Sequence, residues 1–297
     1  KLIINFKIYT YIYIKILFFE KSLTNGCNYY CDIRKFLSKI SQIKIIDRNL
    51  RTEIKQYEPD VLIIGFTVTN IAPNTLKLDL NNIDVPLYII LNKEYQCLEE
   101  KLDWIKNINP PPKKIFTVQH EIKKYSDYCK LPFYRIMWSA DHNIFKGYSI
   151  DYKYDLFFSG VIRSEQTDNL RNKIYNNLDK LKNYKLLIKA VFIVKGKFKG
   201  NPYTFSNVEY AKKISESKIM LTTTGPGDLV GTRYFEIMAT NKALIMCNKM
   251  PEEVYNNIFI DKYNCIMFDN ENDFVEKFKY YIEHEDERLK IVNTAYQ

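Results

Sequence analysis

Unbroken apolar runs alternate along this chain with stretches whose apolar residues recur every three or four positions. Val61-Leu62-Ile63-Ile64-Gly65-Phe66 and the run 86–91 are continuous apolar segments of strand length, the pattern of parallel strands buried on both faces. The same pattern predicts strands over 12–19, 43–46 and 113–118, the last after the stop Pro110-Pro111-Pro112. Between them Ile33, Phe36, Leu37 and Ile40 keep helical spacing, 50–57 reads as a short helix, and Leu98, Leu102 and Ile105 turn inward from a helix over 97–105. Asn25-Gly26 marks a turn after the first strand. Alternation of this kind predicts a parallel α/β domain.

A second series opens at Tyr154. It predicts a strand ending at Gly160, then Val161-Ile162-Arg163 with Ser164 as a helix cap. Leu170, Ile174, Leu178 and Leu181 form the apolar stripe of the helix that follows, and 185–194 is the next strand region. Ser206 and Glu209 form a capping box for a helix ending near Ser217, with Ala211 and Ile214 inward. Ile219 to Leu221 is a short buried strand, and Thr232 is placed to cap a helix with Phe235, Met238 and Ala239 on its inner face. A further apolar strand spans 243–247, and a last helix from about Asn272 carries Phe274, Phe278, Tyr281 and Ile282, with His284 on its solvated acidic face. The segment Lys195-Gly196-Lys197-Phe198-Lys199-Gly200 reads equally as a basic flap over phosphates and as a solvated loop.

Between the strand at 219 and the helix at 232 lies Gly225-Pro226-Gly227-Asp228-Leu229-Val230-Gly231, the stretch with the most chemistry. A loop at this place sits at the carboxyl end of a strand, where open α/β sheets bind ligands. The free N–H groups near Gly231 and Thr232 can hold a diphosphate with the help of the helix dipole. Arg233 can add a bidentate phosphate contact. Glu236, one turn in, is placed to accept both hydroxyls of a ribose, and Asp228 to reach the sugar beyond. The plainer reading makes the two acids helix-dipole partners and the glycines a turn.

These residues carry a family resemblance. Asp228 and Glu236, seven residues apart in between, resemble the acidic E-x7-E pair of GT-B glycosyltransferases, with Asp in the first place. GTRYFEIMATNKALIMC is similar to the G-x-R-x-F-E-x-[ML]-A-x-G-x-x-L pattern of the group-1 and spore-maturation-protein-like members. IFIDKYNCIMF resembles their segment before the last helix, and MWSADHNIFKG their interdomain linker, where His142 is assigned. Asn241 stands where that pattern has glycine after the helix, and Asn tolerates the left-handed conformation needed there.

The resemblance implies a fold and a reaction. The fold is α/β, GT-B, with two Rossmann-like domains whose parallel sheets face an interdomain cleft: 1–145 on the acceptor side and 146–297 for the nucleotide-sugar, the last helix crossing back. The reaction is transfer of a sugar from a UDP- or GDP-sugar to an acceptor hydroxyl on a glycan, protein or lipid, without metal or cofactor, and with retention. His120, just after the strand at 113–118, and Asp228 are the implied catalytic residues. Gly160, Arg163, Gly225, Gly227, Gly231, Thr232, Arg233 and Glu236 are the implied donor-binding set. His120 reads otherwise as a capping or surface histidine, and Arg163 as an exposed arginine on a turn. Two other functions stay open: a sugar-nucleotide or glycan-binding module without turnover, and an epimerase of similar fold.

Composition narrows the field. The 297 residues are 46% hydrophobic and 27% charged, the balance of a globular chain. The net charge is +9, yet eight of the 44 basic residues are Arg and the lysines are scattered, which argues against a nucleic-acid site. The charge suits a nucleotide donor or peripheral contact with an acidic membrane surface. Abundant Ile, Asn, Lys and Tyr look like AT-rich codon usage. Six cysteines show no paired framework, and Cys27-x3-Cys31 has no second pair at zinc spacing, so no metal site and a reducing, cytoplasmic setting are expected. The aromatic start is broken by Lys7 and Lys15, so no transmembrane segment is expected there; it reads as β-rich.

Overall fold

The computed structural model describes residues 14–20, 31–65, 78, 80–91, 97–148, 151–163, 165–166, 169–195, 197–199 and 205–297. The predicted turn at Asn25-Gly26, the strand positions before Ile14, Phe66 and the Ser164 cap lie outside them. The chain divides into two compact units, the first ending at Ile136 and the second running from Met137 to Gln297.

In the first unit, β1 (Lys15–Glu20) leads to α1 (Cys31–Ile40), β2 (Gln42–Ile46), α2 (Leu50–Tyr57) and β3 (Val61–Gly65). Then follow β4 (Leu87–Ile90), α3 (Leu98–Lys106), β5 (Lys114–Thr117), α4 (Ile122–Cys129) and β6 (Phe133–Arg135). Among the described residues these strands form one six-stranded sheet in the order β2-β1-β3-β4-β5-β6, parallel throughout. One face packs Leu17, Leu62, Ile64, Ile89 and Ile115 under Leu102, Ile105 and Tyr125 of α3 and α4. Phe18 and Ile90 face the other way, beneath Ile33 and Leu37 of α1. Burial on both faces is what the continuous apolar runs required. Neither α4 nor β6 was anticipated: α4, IKKYSDYC, buries only Tyr125 and Cys129, too sparse a stripe to stand out.

The second unit starts its sheet with β7 (Tyr154–Arg163), followed by α5 (Leu170–Asn176) and a 3₁₀ turn over Leu178–Leu181. After these come β8 (Leu186–Val194), β9 (Lys197–Lys199), α6 (Asn207–Ser215) and β10 (Ser217–Thr222). Then α7 (Thr232–Ala239), β11 (Leu244–Asn248), α8 (Glu252–Tyr255), β12 (Ile266–Phe268), α9 (Glu271–Glu283) and α10 (Glu285–Tyr296) complete the chain. The described strands pair in the order β12-β11-β10-β7-β8-β9, all parallel except β9 against β8.

Local signals explain several boundaries. Ser206 and Glu209 make both bonds of the capping box. Asn169 caps α5 through the N–H of Arg171, and Asn270 caps α9 through two N–H groups. Asn241 follows α7 at φ 49°, the left-handed conformation the sequence argument required.

Four expectations are corrected. β7 does not end at Gly160 but continues to Arg163, because β8 pairs with it along its whole length, up to Arg163 beside Ile193. Thr232 does not cap α7; Gly231 is the N-cap residue, and no side chain fills the role. The buried face of α7 is Tyr234 and Ile237, with Phe235, Met238 and Ala239 only half-buried at its flanks. The last helix is two, α9 and α10, meeting at His284, which stacks on Tyr280 rather than lying along one continuous face. No helix among the described residues is long and apolar enough to cross a membrane.

Candidate functional site

The order in which strands are added to the second sheet reverses between β7 and β10. From β7 the chain passes to α5, which packs with α9 and α10 over Leu156, Phe158, Ile219 and Leu244. From β10 it passes to α7, which packs with α6 on the opposite face over Phe157, Met220 and Ile245. Where neighbouring strands send their helices to opposite faces, the loops part and leave a crevice at the carboxyl ends. A cavity of about 480 Å³ lies there, walled by Val161 and Arg163 of β7, Arg171 and Asn172 of α5, and the loop residues Thr224 and Gly225.

Arg171, half-buried, is the centre of this wall. Its Nε donates to Thr223 Oγ1 at 2.8 Å, Nη1 to the Val161 carbonyl at 3.3 Å, and Nη2 to the carbonyls of Thr223 and Thr224 at 3.1 and 3.2 Å. One guanidinium therefore ties the end of β7 to the loop leaving β10. Burial, together with the charges of Arg233 and Arg163, lowers its pKa to about 10. None of these three arginines makes an ion pair with a carboxylate among the described residues. Unpaired cations gathered at strand ends form an anion site. The sequence reading missed Arg171. The available signal was a basic residue in the first turn of α5, where it opposes the helix dipole.

The loop after β10 is held from the other side by Asn248. Its Oδ1 accepts from the Thr224 N–H at 2.8 Å and its Nδ2 donates to Thr224 Oγ1 at 3.1 Å. Tyr255 donates its hydroxyl to the Asn248 carbonyl, and the Tyr234 and Tyr255 hydroxyls lie 3.3 Å apart. Gly225 N–H donates to the Leu229 carbonyl at 2.8 Å, closing the loop, while Leu229 and Val230 are buried. Gly227 adopts φ 64°, which suits glycine, and Asp228 follows at φ 54° on an exposed turn.

At the start of α7 the predicted donor residues come together. Gly231 is extended at φ −87°, and a Cβ built there would meet nothing within 4 Å. Among the described residues nothing fills the space directly over its bare backbone. The Thr232 hydroxyl hydrogen-bonds the carboxyl group of Glu236 one turn on. Burial raises the Glu236 pKa, while that bond and the Arg233 charge act against the rise. Glu236 as a residue is half-buried. The Tyr210 phenol sits near Arg233, Glu236 and Ser159, its pKa pushed up chiefly by burial.

Gly160 serves packing: an added Cβ would come within 3.0 Å of the Phe158 ring. Arg163 lines the cavity, and its carbonyl accepts from Asn172 Nδ2. In the first unit His120 follows β5 at the carboxyl edge of that sheet, half-buried, with a buried Nδ1 that has no hydrogen-bond partner among the described residues. The neighbouring Gln119, 3% exposed, likewise has its Nε2 unpartnered. Among the described residues no group of His, Cys, Asp and Glu side chains is arranged to hold a metal ion.

Comparison with solved structures decides the fold. HepE of Anabaena, solved with UDP-glucose, superposes with a TM-score of 0.57 at 12% identity, over 96% of this chain and 94% of that one. Sucrose-phosphate synthase of Thermosynechococcus elongatus gives a TM-score of 0.61 at 6% identity, over 95% and 93%. The DNA-modifying β-glucosyltransferase, solved with and without its substrate uridine diphosphoglucose, gives 0.58 at 13% identity, over 95% and 93%.

The fold is GT-B.

Residues 178–297 also match the family described as glycosyl transferase-like, which places α6, the glycine loop and α7 within that domain. No curated protein matches the chain at the sequence level. In this GT-B chain the residues named at the β7–β10 crevice and at the α7 N-terminus belong to the second unit.

Proposed function

We propose that this chain is a glycosyltransferase that moves a sugar from a nucleotide-sugar donor to an acceptor hydroxyl. The observation that carries the reading is the gathering of Arg163, Arg171 and Arg233 beside an uncapped helix start, with Glu236 half-buried one turn in. A leaving nucleoside diphosphate gains charge as the glycosidic bond breaks, and fixed cations and amide dipoles stabilise it. The N–H groups at Gly231 and Thr232 take the diphosphate with Arg233, and Arg163 approaches from the β7 side. Glu236 accepts the ribose hydroxyls. These groups supply the charge stabilisation that a divalent metal supplies elsewhere, so transfer is metal-independent in this reading.

Asp228, on its exposed turn, is assigned to the transferred sugar, and the acidic pair it forms with Glu236 favours retention. His120 is the candidate of the first unit, half-buried at the carboxyl edge of its own sheet. UDP- and GDP-sugars are the donor class; a glycan, protein or lipid hydroxyl is the acceptor. Calorimetric titration with UDP- and GDP-sugars, followed by transfer assays on acceptor mixtures, tests this. Binding that Glu236→Ala greatly weakens supports the assignment. Nucleotide affinity unchanged in that variant removes Glu236 from its role, and tight binding with no transfer to any acceptor favours a binding module instead.

A further inference from the structure

Glu100, Asp103, Trp104 and Asn107 of α3 recur at helical spacing, so they share one face of that helix. Glu100, Asp103 and Asn107 are exposed, while Trp104 among them is half-buried and packs against the core of the first unit. The segment before β4 supplies Leu78, Leu80 and Asn81, and together with the α3 face it lines a cavity of about 450 Å³. That is the volume of a small-molecule site. Leu80 and Ile108, both buried in the same core, give it a fixed apolar part. The cavity lies at the amino edge of the sheet, because residues 78–81 and 107–108 precede β4 and β5, whereas His120 follows β5. β5 is 4 residues long, so roughly 13 Å of strand separates the two edges.

The lining selects a class of ligand. Glu100 and Asp103 offer acceptor oxygens, and the amides of Asn81 and Asn107 add both donors and acceptors. Asn107 Nδ2 donates to the Asp103 carbonyl at 2.8 Å, and the Asn81 carbonyl accepts from Arg51, so both residues are held in place. Among the described residues that wall the cavity there is no lysine or arginine, which leaves an anion without a charged partner. A cation is not selected either. Arg51 stands at Asn81, and Lys106 Nζ lies 5.0 Å from the centre of the Tyr128 ring, whose hydroxyl donates to Asp103 Oδ1. Two cations therefore accompany the two carboxylates. We propose that this cavity binds a neutral oligosaccharide. The indole of Trp104 takes the C–H face of a pyranose, and the carboxylates and amides pair its hydroxyls. Such a site retains a glycan at the edge of the sheet opposite His120.

The test follows Trp104 fluorescence in the full chain carrying Trp138→Phe, which removes the other of the two tryptophans. Maltotetraose, cellotetraose and chitotetraose are titrated separately, with spermidine as a cationic probe. At least one tetrasaccharide is expected to shift the emission saturably, and spermidine to leave it unchanged. On the same background, Glu100→Ala/Asn107→Ala lowers the affinity about fivefold for each hydrogen bond removed. Both side chains are exposed, so this variant is expected to melt close to its parent. No saturable shift with any of the three tetrasaccharides, a saturable shift with spermidine alone, or tetrasaccharide binding indifferent to the double variant overturns the proposal. None of these results bears on the donor site of the second unit.

Discussion

Replacing Arg171 by methionine separates stability from ligand binding at the crevice. The substitution removes four hydrogen bonds, three of them to the carbonyls of Val161, Thr223 and Thr224. At about 1 kcal/mol each for bonds whose acceptors border an open cavity, the loss is roughly 4 kcal/mol. Against it stands the cost of keeping a buried charge beside Arg233 and Arg163. The fall in pKa from 12.5 to about 10 corresponds to roughly 3 kcal/mol disfavouring the charged form. The two nearly cancel, leaving a net destabilisation on the order of 1 kcal/mol and a fall in melting temperature of about 2–4 °C.

Binding does not share this cancellation. A cation acting on a phosphate charge across roughly 8 Å, at an effective dielectric of about 20, contributes about 2 kcal/mol, or roughly thirtyfold in affinity. Arg171→Met should therefore weaken UDP binding about thirtyfold in calorimetry while scanning calorimetry records only the small fall in melting temperature. Affinity within twofold of the parent protein, in a variant that melts a few degrees lower, would show that Arg171 only supports the loop and that the anion lies elsewhere.

Other substitutions probe the same crevice in different ways. Burial raises the Glu236 pKa above its unfolded value, so its stabilising contribution is complete below the unfolded value and lost as pH rises through the folded one; Glu236→Gln should raise the melting temperature of the ligand-free protein at neutral pH while weakening nucleotide binding, and a variant no more stable than the parent would contradict this. For the same reason, nucleotide affinity of the unsubstituted chain should decline on acidification at a pH above the ordinary carboxylate range. Gly231→Ala meets no neighbouring atom within 4 Å, so it should leave stability unchanged yet weaken UDP binding, whereas Gly160→Ala should lower stability by crowding the Phe158 ring; equal nucleotide affinity in Gly231→Ala argues against a ligand over that backbone. Ser206→Ala should cost about 1 kcal/mol through loss of the α6 cap and leave nucleotide binding untouched, as paired thermal and titration data can show.

Strand positions were the most legible part of the sequence, because a parallel strand buried on both faces needs an unbroken apolar run and 61–65 and 87–90 have one. Caps with a side-chain signature were legible as well: Ser206 with Glu209, and Asn241 in place of glycine. Where a boundary depends on tertiary pairing the pattern gave no warning. Gly160 looked like a strand end, but its missing side chain makes room for Phe158 and the strand runs on beside β8. Thr232 looked like a cap, but its hydroxyl turns to Glu236 and the backbone of Gly231 takes the cap position. The candidates at the α7 start could be picked out together because they are contiguous in sequence. Arg171 could not, because its significance lies in carbonyls contributed by the separate segments around Val161 and Thr223.

The central claim concerns where a diphosphate sits, and a crystal structure of this chain with UDP addresses it most directly. The account predicts the phosphates against the N–H groups of Gly231 and Thr232 with Arg233 beside them, and the ribose hydroxyls on the Glu236 carboxylate. Nucleotide bound away from the α7 start, or a ribose that leaves Glu236 bonded only to Thr232, would contradict it.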